Sequence, residues 1–206
     1  SSYPFIAYHA FAGEDWPRAL YYQMLAGRRA QSLFANEAAI DHFEKALRSA
    51  AYLLPGETVY QRLEALSNLG ELLTTTGAYD QAEERLQEAR ALAMRLEEPE
   101  IEARIDRWLA RLYELRSDYD AAVEWIQRGL VALAGRETVE MAQLLLIAGL
   151  INTRLGNYES ALDQCEICLR ISEQLGEIGV LARSYTLLGH LSRLRGISNM
   201  AVWYFQ

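Results

Sequence analysis

The chain has 206 residues, 51% of them apolar and 23% charged, with a formal net charge of −8. That leaves enough apolar side chains for a substantial core, while the acidity excludes a general coat for nucleic acid, which needs a basic surface. The longest apolar run, Met141 to Ile151, has eleven residues and includes Gln143 and Gly149, too short to span a membrane. No charged-then-apolar leader opens the sequence and only two cysteines occur, so the chain is expected in a reducing, cytoplasmic compartment. Four prolines and scattered single glycines leave no linker, and residues 1–206 read as one domain.

In chain order, a leading partial repeat at 3–19 runs into a helix expected from Asp15 to Ala35. Ala39, Phe43 and Ala46 mark a second helix, and this first repeat, near 20–56, ends about Pro55-Gly56. The next repeat, near 63–98, carries Leu66-Ser-Asn-Leu-Gly70, then Gly77, Ala82, Leu86 and Ala89. A third, near 103–135, has Leu109-Ala110, Tyr113, Asp118-Tyr119, Ala122, Ile126 and Gly129. A fourth, near 142–176, repeats the pattern with Leu145 to Gly149, Gly156, Ala161, Cys165 and Cys168. The last, near 182–206, has Tyr185 to Gly189, Gly196, Ala201 and Phe205. Anchored on Ala82, Ala122, Ala161 and Ala201, the period is 40, 39 and 40 residues. Apolar residues recur at spacings of three and four, so every segment is an amphipathic helix. Gly77 and Gly156 stand where glycine ends a helix in the left-handed conformation, and Gly70, Gly149 and Ala82 let paired helices approach closely. No copy can bury its apolar face alone, so the copies stack. The expected fold is an all-α, right-handed α-solenoid of antiparallel helix pairs, about eleven helices long, without strands.

These residues resemble the tetratricopeptide repeat, in its pattern of Leu-Gly, Gly-x-Tyr, Ala, Phe and Ala. Leu69-Gly70, Gly77-Ala-Tyr79, Ala82, Leu86 and Ala89 match it, as do Gly156-Asn-Tyr158, Ala161, Cys165 and Cys168. The chain departs at Leu73, Asn152 and Ser192, where an aromatic is usual, in lacking the closing proline, and in a period longer than the usual 34. It is similar to the long-helix variety of eukaryotic spindle-orientation adaptors and bacterial signalling ATPases. The first fifty residues, with Ala7-Tyr-His9, Ala12-Gly13-Glu-Asp-Trp16 and Ala35-Asn-Glu-Ala-Ala39, resemble the repeat arm of bacterial multidomain regulators. These include LuxR-type activators of the maltose-regulator kind and ATPase-linked cyclases. The resemblance implies a cytoplasmic interaction module in signalling or transcription regulation. The last repeat stops after Trp203-Tyr-Phe205, which reads as an excised piece of a longer chain able to self-associate through that apolar end.

Little in the sequence points to catalysis. Cys165-Glu-Ile-Cys168 occupies packing positions in mid-helix, unlike a redox motif at a helix N-terminus, and no second pair or nearby histidine completes a metal site. His9, His42 and His190 form no ligand spacing, no glycine-rich phosphate loop occurs, and the carboxylates read as solvated faces. The expectation is no enzyme, no metal and no cofactor. In tetratricopeptide arrays the first helix of each pair lines the concave side, which here places Arg104, Arg107, Trp108 and Arg111 there, with Arg154, Arg183, His190 and Arg193 from the next copies. Against this acidic body the six arginines face one acid, Glu114. They either form a groove for an acidic protein or peptide, or pair with neighbours such as Asp106 and Glu102 and cover apolar surface. In the first case, reversing Arg107 and Arg111 abolishes binding and spares the fold. The alternative function is a small-molecule inducer sensor, which a metabolite-sized pocket lined by Trp108 and arginines would favour. Neither reading involves a membrane or direct nucleic-acid binding.

Overall fold

The computed structural model describes residues 2–194 and Gly196. Among them are ten helices and no strand: α1 (Tyr3–Ala12), α2 (Trp16–Ser32), α3 (Asn36–Ala50), α4 (Val59–Thr76), α5 (Tyr79–Arg95), α6 (Pro99–Leu115), α7 (Tyr119–Leu133), α8 (Val139–Leu155), α9 (Tyr158–Leu175) and α10 (Ile178–Leu194). The eleventh expected helix, with Ala201 and Trp203 to Phe205, lies outside the described residues. The chain divides after Glu98 into two compact units, α1–α5 and α6–α10.

Local chemistry sets the helix ends. The Asp15, Asp118 and Thr138 side chains accept from the backbone N–H of Arg18, Ala121 and Met141, capping α2, α7 and α8. The helix expected from Asp15 to Ala35 therefore begins after its cap and ends at Ser32. Gly77, Gly156 and Gly176 close α4, α8 and α9 at φ of +86, +81 and +72°. Where no glycine is available, Phe34, Glu97 and Ser117 take the same backbone. The turns share one closing bond, such as Ala35 N–H to Ala30 O at 3.0 Å, Ala78 N–H to Leu73 O at 2.9 Å and Asn157 N–H to Asn152 O at 2.8 Å.

Within each pair the helices meet at a small residue. A methyl on Gly27 would lie 2.8 Å from Phe43 Cε1, one on Gly149 2.9 Å from Cys165 Sγ, and one on Gly70 would collide with Leu86. In the second unit the middle of α8, Leu144 to Ile151, is apolar on every face because it is buried on two sides. Leu144, Ile147 and Ile151 pack with Ala110, Ala122 and Ile126. Leu145 and Leu146 pack with Ala161, Cys165, Cys168, Leu187 and Leu191. Both cysteines are free thiols in that core, and burial pushes Cys165 up to about 12 and Cys168 upward too.

A basic cavity on α6, α8 and α10

In the second unit α6 lies along α8, and α8 along α10, so alternate helices share one face. Two ion-paired clusters fasten α6 to α8. Arg107 Nε donates to Glu140 Oε2 at 2.8 Å, with the side chains only 12% and 17% exposed. Arg111 and Arg154 both grip the carboxylate of Glu114, which is wholly buried. These pairings revise the expected groove in two respects. Glu114 is a pin between two helices rather than one acid among many arginines, and Glu140 is a second acid on the same seam. Glu140 escaped notice because it lies 33 residues from Arg107, and only repeat stacking brings them together.

Arg183 on α10 differs from these three. It enters no ion pair among the described residues. Its guanidinium is held below its ordinary pKa, first by partial desolvation and then by the positive charges of Arg107 and Arg111. It stays protonated throughout the physiological range, so an unneutralised cation stands beside two others.

Beside these arginines a cavity of about 360 Å³ opens between α6, α8 and α10. Its polar wall is Arg111, Arg183, Thr186 and His190; its apolar wall is Leu146, Ile147, Leu150 and Leu187. Arg193 donates to Nδ1 of His190 at 3.2 Å. Because guanidinium cannot accept, Nδ1 holds the lone pair, and the neutral ring carries its proton on Nε2. The Thr186 hydroxyl donates to Ala182 O at 2.8 Å, leaving its oxygen as an acceptor.

The structure thus brings together Arg111, Arg183 and His190, with Arg107 close by and Arg193 orienting His190. Arg154 is spent on Glu114, and Arg104 is half-buried on α6 with interactions of its own. Trp108 is not part of the cavity wall. It stacks under the Arg107 guanidinium, 5.1 Å from the ring centroid, and its buried indole N–H has no hydrogen-bond partner among the described residues. The residues that sequence reasoning missed are the apolar ones, Leu146, Ile147, Leu150 and Leu187. Their periodicity marks them only as core.

A second cavity, about 450 Å³, lies in the first unit between α2, residues 53–58 and α4. Its one cation among the described residues, Arg28, is held by both oxygens of Glu64 at 2.5 and 2.6 Å, so that guanidinium offers no unspent positive charge. Among the described residues no group of three or more His, Cys, Asp or Glu is placed to hold a metal ion. No described helix is long and apolar enough to cross a membrane.

Residues 56–131 match the family model of the tetratricopeptide repeat. No curated protein sequence matches the chain. Among solved structures, BtubC (BKLC) from P. vanneervenii is similar, with a TM-score of 0.76 at 20% identity over 98% of this chain and 85% of that one. The apo form of RapI gives a TM-score of 0.73 at 16% identity, over 91% of this chain and 52% of RapI. PilF of Pseudomonas aeruginosa gives 0.64 at 17% identity, over 98% and 87%. At these identities the likeness concerns the fold. Residues 56–131 are thus a tetratricopeptide-repeat segment, in a chain whose fold is that of the tetratricopeptide-like helical solenoids.

Proposed function

We propose that this chain is a non-catalytic interaction module that holds an acidic segment of another protein against the face formed by α6, α8 and α10. The observation that carries this reading is Arg183, a cation without a carboxylate partner among the described residues, beside Arg107 and Arg111. Gathering like charges on one face is costly unless an anion offsets them. Stacked helix pairs provide such extended faces, and the tetratricopeptide match supports an interaction scaffold. The sequence resemblance of the first fifty residues supports a place in a larger cytoplasmic regulator of bacterial type.

The test uses labelled twelve-residue peptides in which Asp and Glu alternate with Leu and Phe, against the same peptides carrying Lys. The acidic set should bind, weaken with added salt, and lose roughly tenfold or more on Arg183→Glu, since a charge-assisted contact contributes about 1.5–3 kcal/mol. Equal binding of both sets, or binding indifferent to Arg183→Glu, sinks the reading. The small-molecule alternative retains one supporting observation, the size of the cavity, although Trp108 is not in its wall.

A further inference from the structure

We propose that the cavity between α6, α8 and α10 is a binding site for a small amphiphilic monoanion: a carboxylate on a compact apolar body, such as a medium alkyl chain or one aromatic ring. The inference shares its face with the proposed function and names a different occupant for it. A small anion and an acidic segment would exclude one another at Arg183.

Four features of the wall select this chemistry. Leu146, Ile147, Leu150 and Leu187 offer nothing to hydrogen-bond, so the body they enclose is apolar. Among the described residues the polar wall contains no acid, and beside the Thr186 hydroxyl oxygen it presents donors: the Arg183 guanidinium, the N–H groups that Arg111 does not spend on Glu114, and Nε2–H of His190. A head group that accepts and carries negative charge satisfies these three donors. Arg111 shares the buried Glu114 with Arg154, and Arg183 enters no ion pair among the described residues, so the wall carries net positive charge that an anionic head group offsets. The volume of about 360 Å³ lies at the small end of ligand sites, which run from about 300 to 1,000 Å³. The first-unit cavity fails the same comparison because Glu64 already neutralises Arg28.

The experiment is calorimetric titration of the 206-residue chain with sodium octanoate, and with octanol, octylamine and acetate as probes lacking the charge, reversing it, or lacking the body. Octanoate should bind, with octanol and acetate weaker by about tenfold or more and octylamine silent, the margin expected of a charge-assisted contact plus buried apolar area. Arg183→Gln should weaken octanoate by about tenfold and leave octanol unchanged, whereas Arg183→Lys should retain most of the affinity. Filling the apolar wall with Leu150→Trp should abolish octanoate binding while the circular dichroism of the native chain persists. Should Leu150→Trp unfold the chain, the Arg183→Gln result decides alone, since among the described residues that side chain holds no ion pair to lose. Equal affinity for octanoate and octanol, or octanoate binding untouched by Arg183→Gln, overturns the proposal. Adding an acidic peptide separates the two readings. If the peptide binds and octanoate does not, the small-anion site is wrong and the interaction module stands. If octanoate binds and no acidic peptide does, the reverse holds. Displacement of octanoate by the peptide supports both.

Discussion

Leu86 lies against Gly70 so closely that no methyl fits between α4 and α5. Gly70→Ala should therefore cost roughly 1–3 kcal/mol through overpacking, read as a fall in urea midpoint. Gly179, near the start of α10, has open space around it and no positive φ, so Gly179→Ala should be neutral or gain up to about 1 kcal/mol. A second residue-scale expectation concerns His42, whose Nδ1 meets Gln23 Oε1 at 2.7 Å while Gln23 Nε2 donates to Ala7 O. Since Gln23 Oε1 can only accept, His42 is the donor. Burial lowers its pKa below 6.5, against the smaller opposing pull of Asp41. The unfolded chain thus takes up a proton first as pH falls, so the stability His42 contributes is complete above pH 6.5 and is lost below it. Between pH 7.5 and 5 the native chain should lose more stability than a His42→Gln variant; equal losses would assign the effect elsewhere. The thiols offer a third check. Cys165, pushed up to about 12 by burial, carries almost no thiolate at neutral pH, and Cys168 bonds Ala142 O and Ser184 within the core. Alkylation should be slow in native protein and fast after denaturation.

Between elements, the two ion-paired clusters decide how α6 sits on α8. Glu114 is wholly buried while Arg111 and Arg154 remain partly exposed at 37% and 44%. The asymmetry fixes the ranking of variants. Glu114→Gln leaves two guanidinium groups that water can reach, whereas removing both arginines strands a buried carboxylate. Arg111→Met with Arg154→Met should cost about 3–5 kcal/mol, the range for breaking a buried pair, and more than Glu114→Gln. Thermal melts of the variants would show the reverse order if Glu114 were well hydrated. The same geometry revises an expectation from sequence. Reversing Arg107 and Arg111 would set acids against Glu140 and Glu114, damaging the fold along with any binding. Arg183→Glu is the clean test, because that residue holds no ion pair among the described residues.

Over the whole molecule, stability is a sum of neighbouring contacts, so damage should spread from one helix to those packed on it. Leu144, fully buried on α8, packs with side chains of α6 and α7; Leu144→Ala should cost about 2–5 kcal/mol. Hydrogen exchange should then quicken first in α6, α7 and α8, and uniform acceleration over the described helices would argue for one cooperative block instead. Helix class, repeat period, the glycine stops at Gly77 and Gly156 and the buried cysteines were legible in the sequence, since each depends on spacing within one helix or on a residue's own conformational limits. Phe34, Glu97 and Ser117 were not legible as left-handed stops, because no intrinsic preference marks them and the stacking around each turn imposes the backbone. The basic face was legible as a set of arginines three and four apart. Their division into spent and unspent charge was not, because Glu140 and Arg107, or Glu114 and Arg154, meet only across stacked repeats. Nor could periodicity distinguish Leu146, Ile147, Leu150 and Leu187 as cavity wall from leucines in solid core, since both patterns look alike along a helix. Only the packing of α6, α8 and α10 left that space open and placed at its edge the Arg183 guanidinium, which enters no ion pair among the described residues.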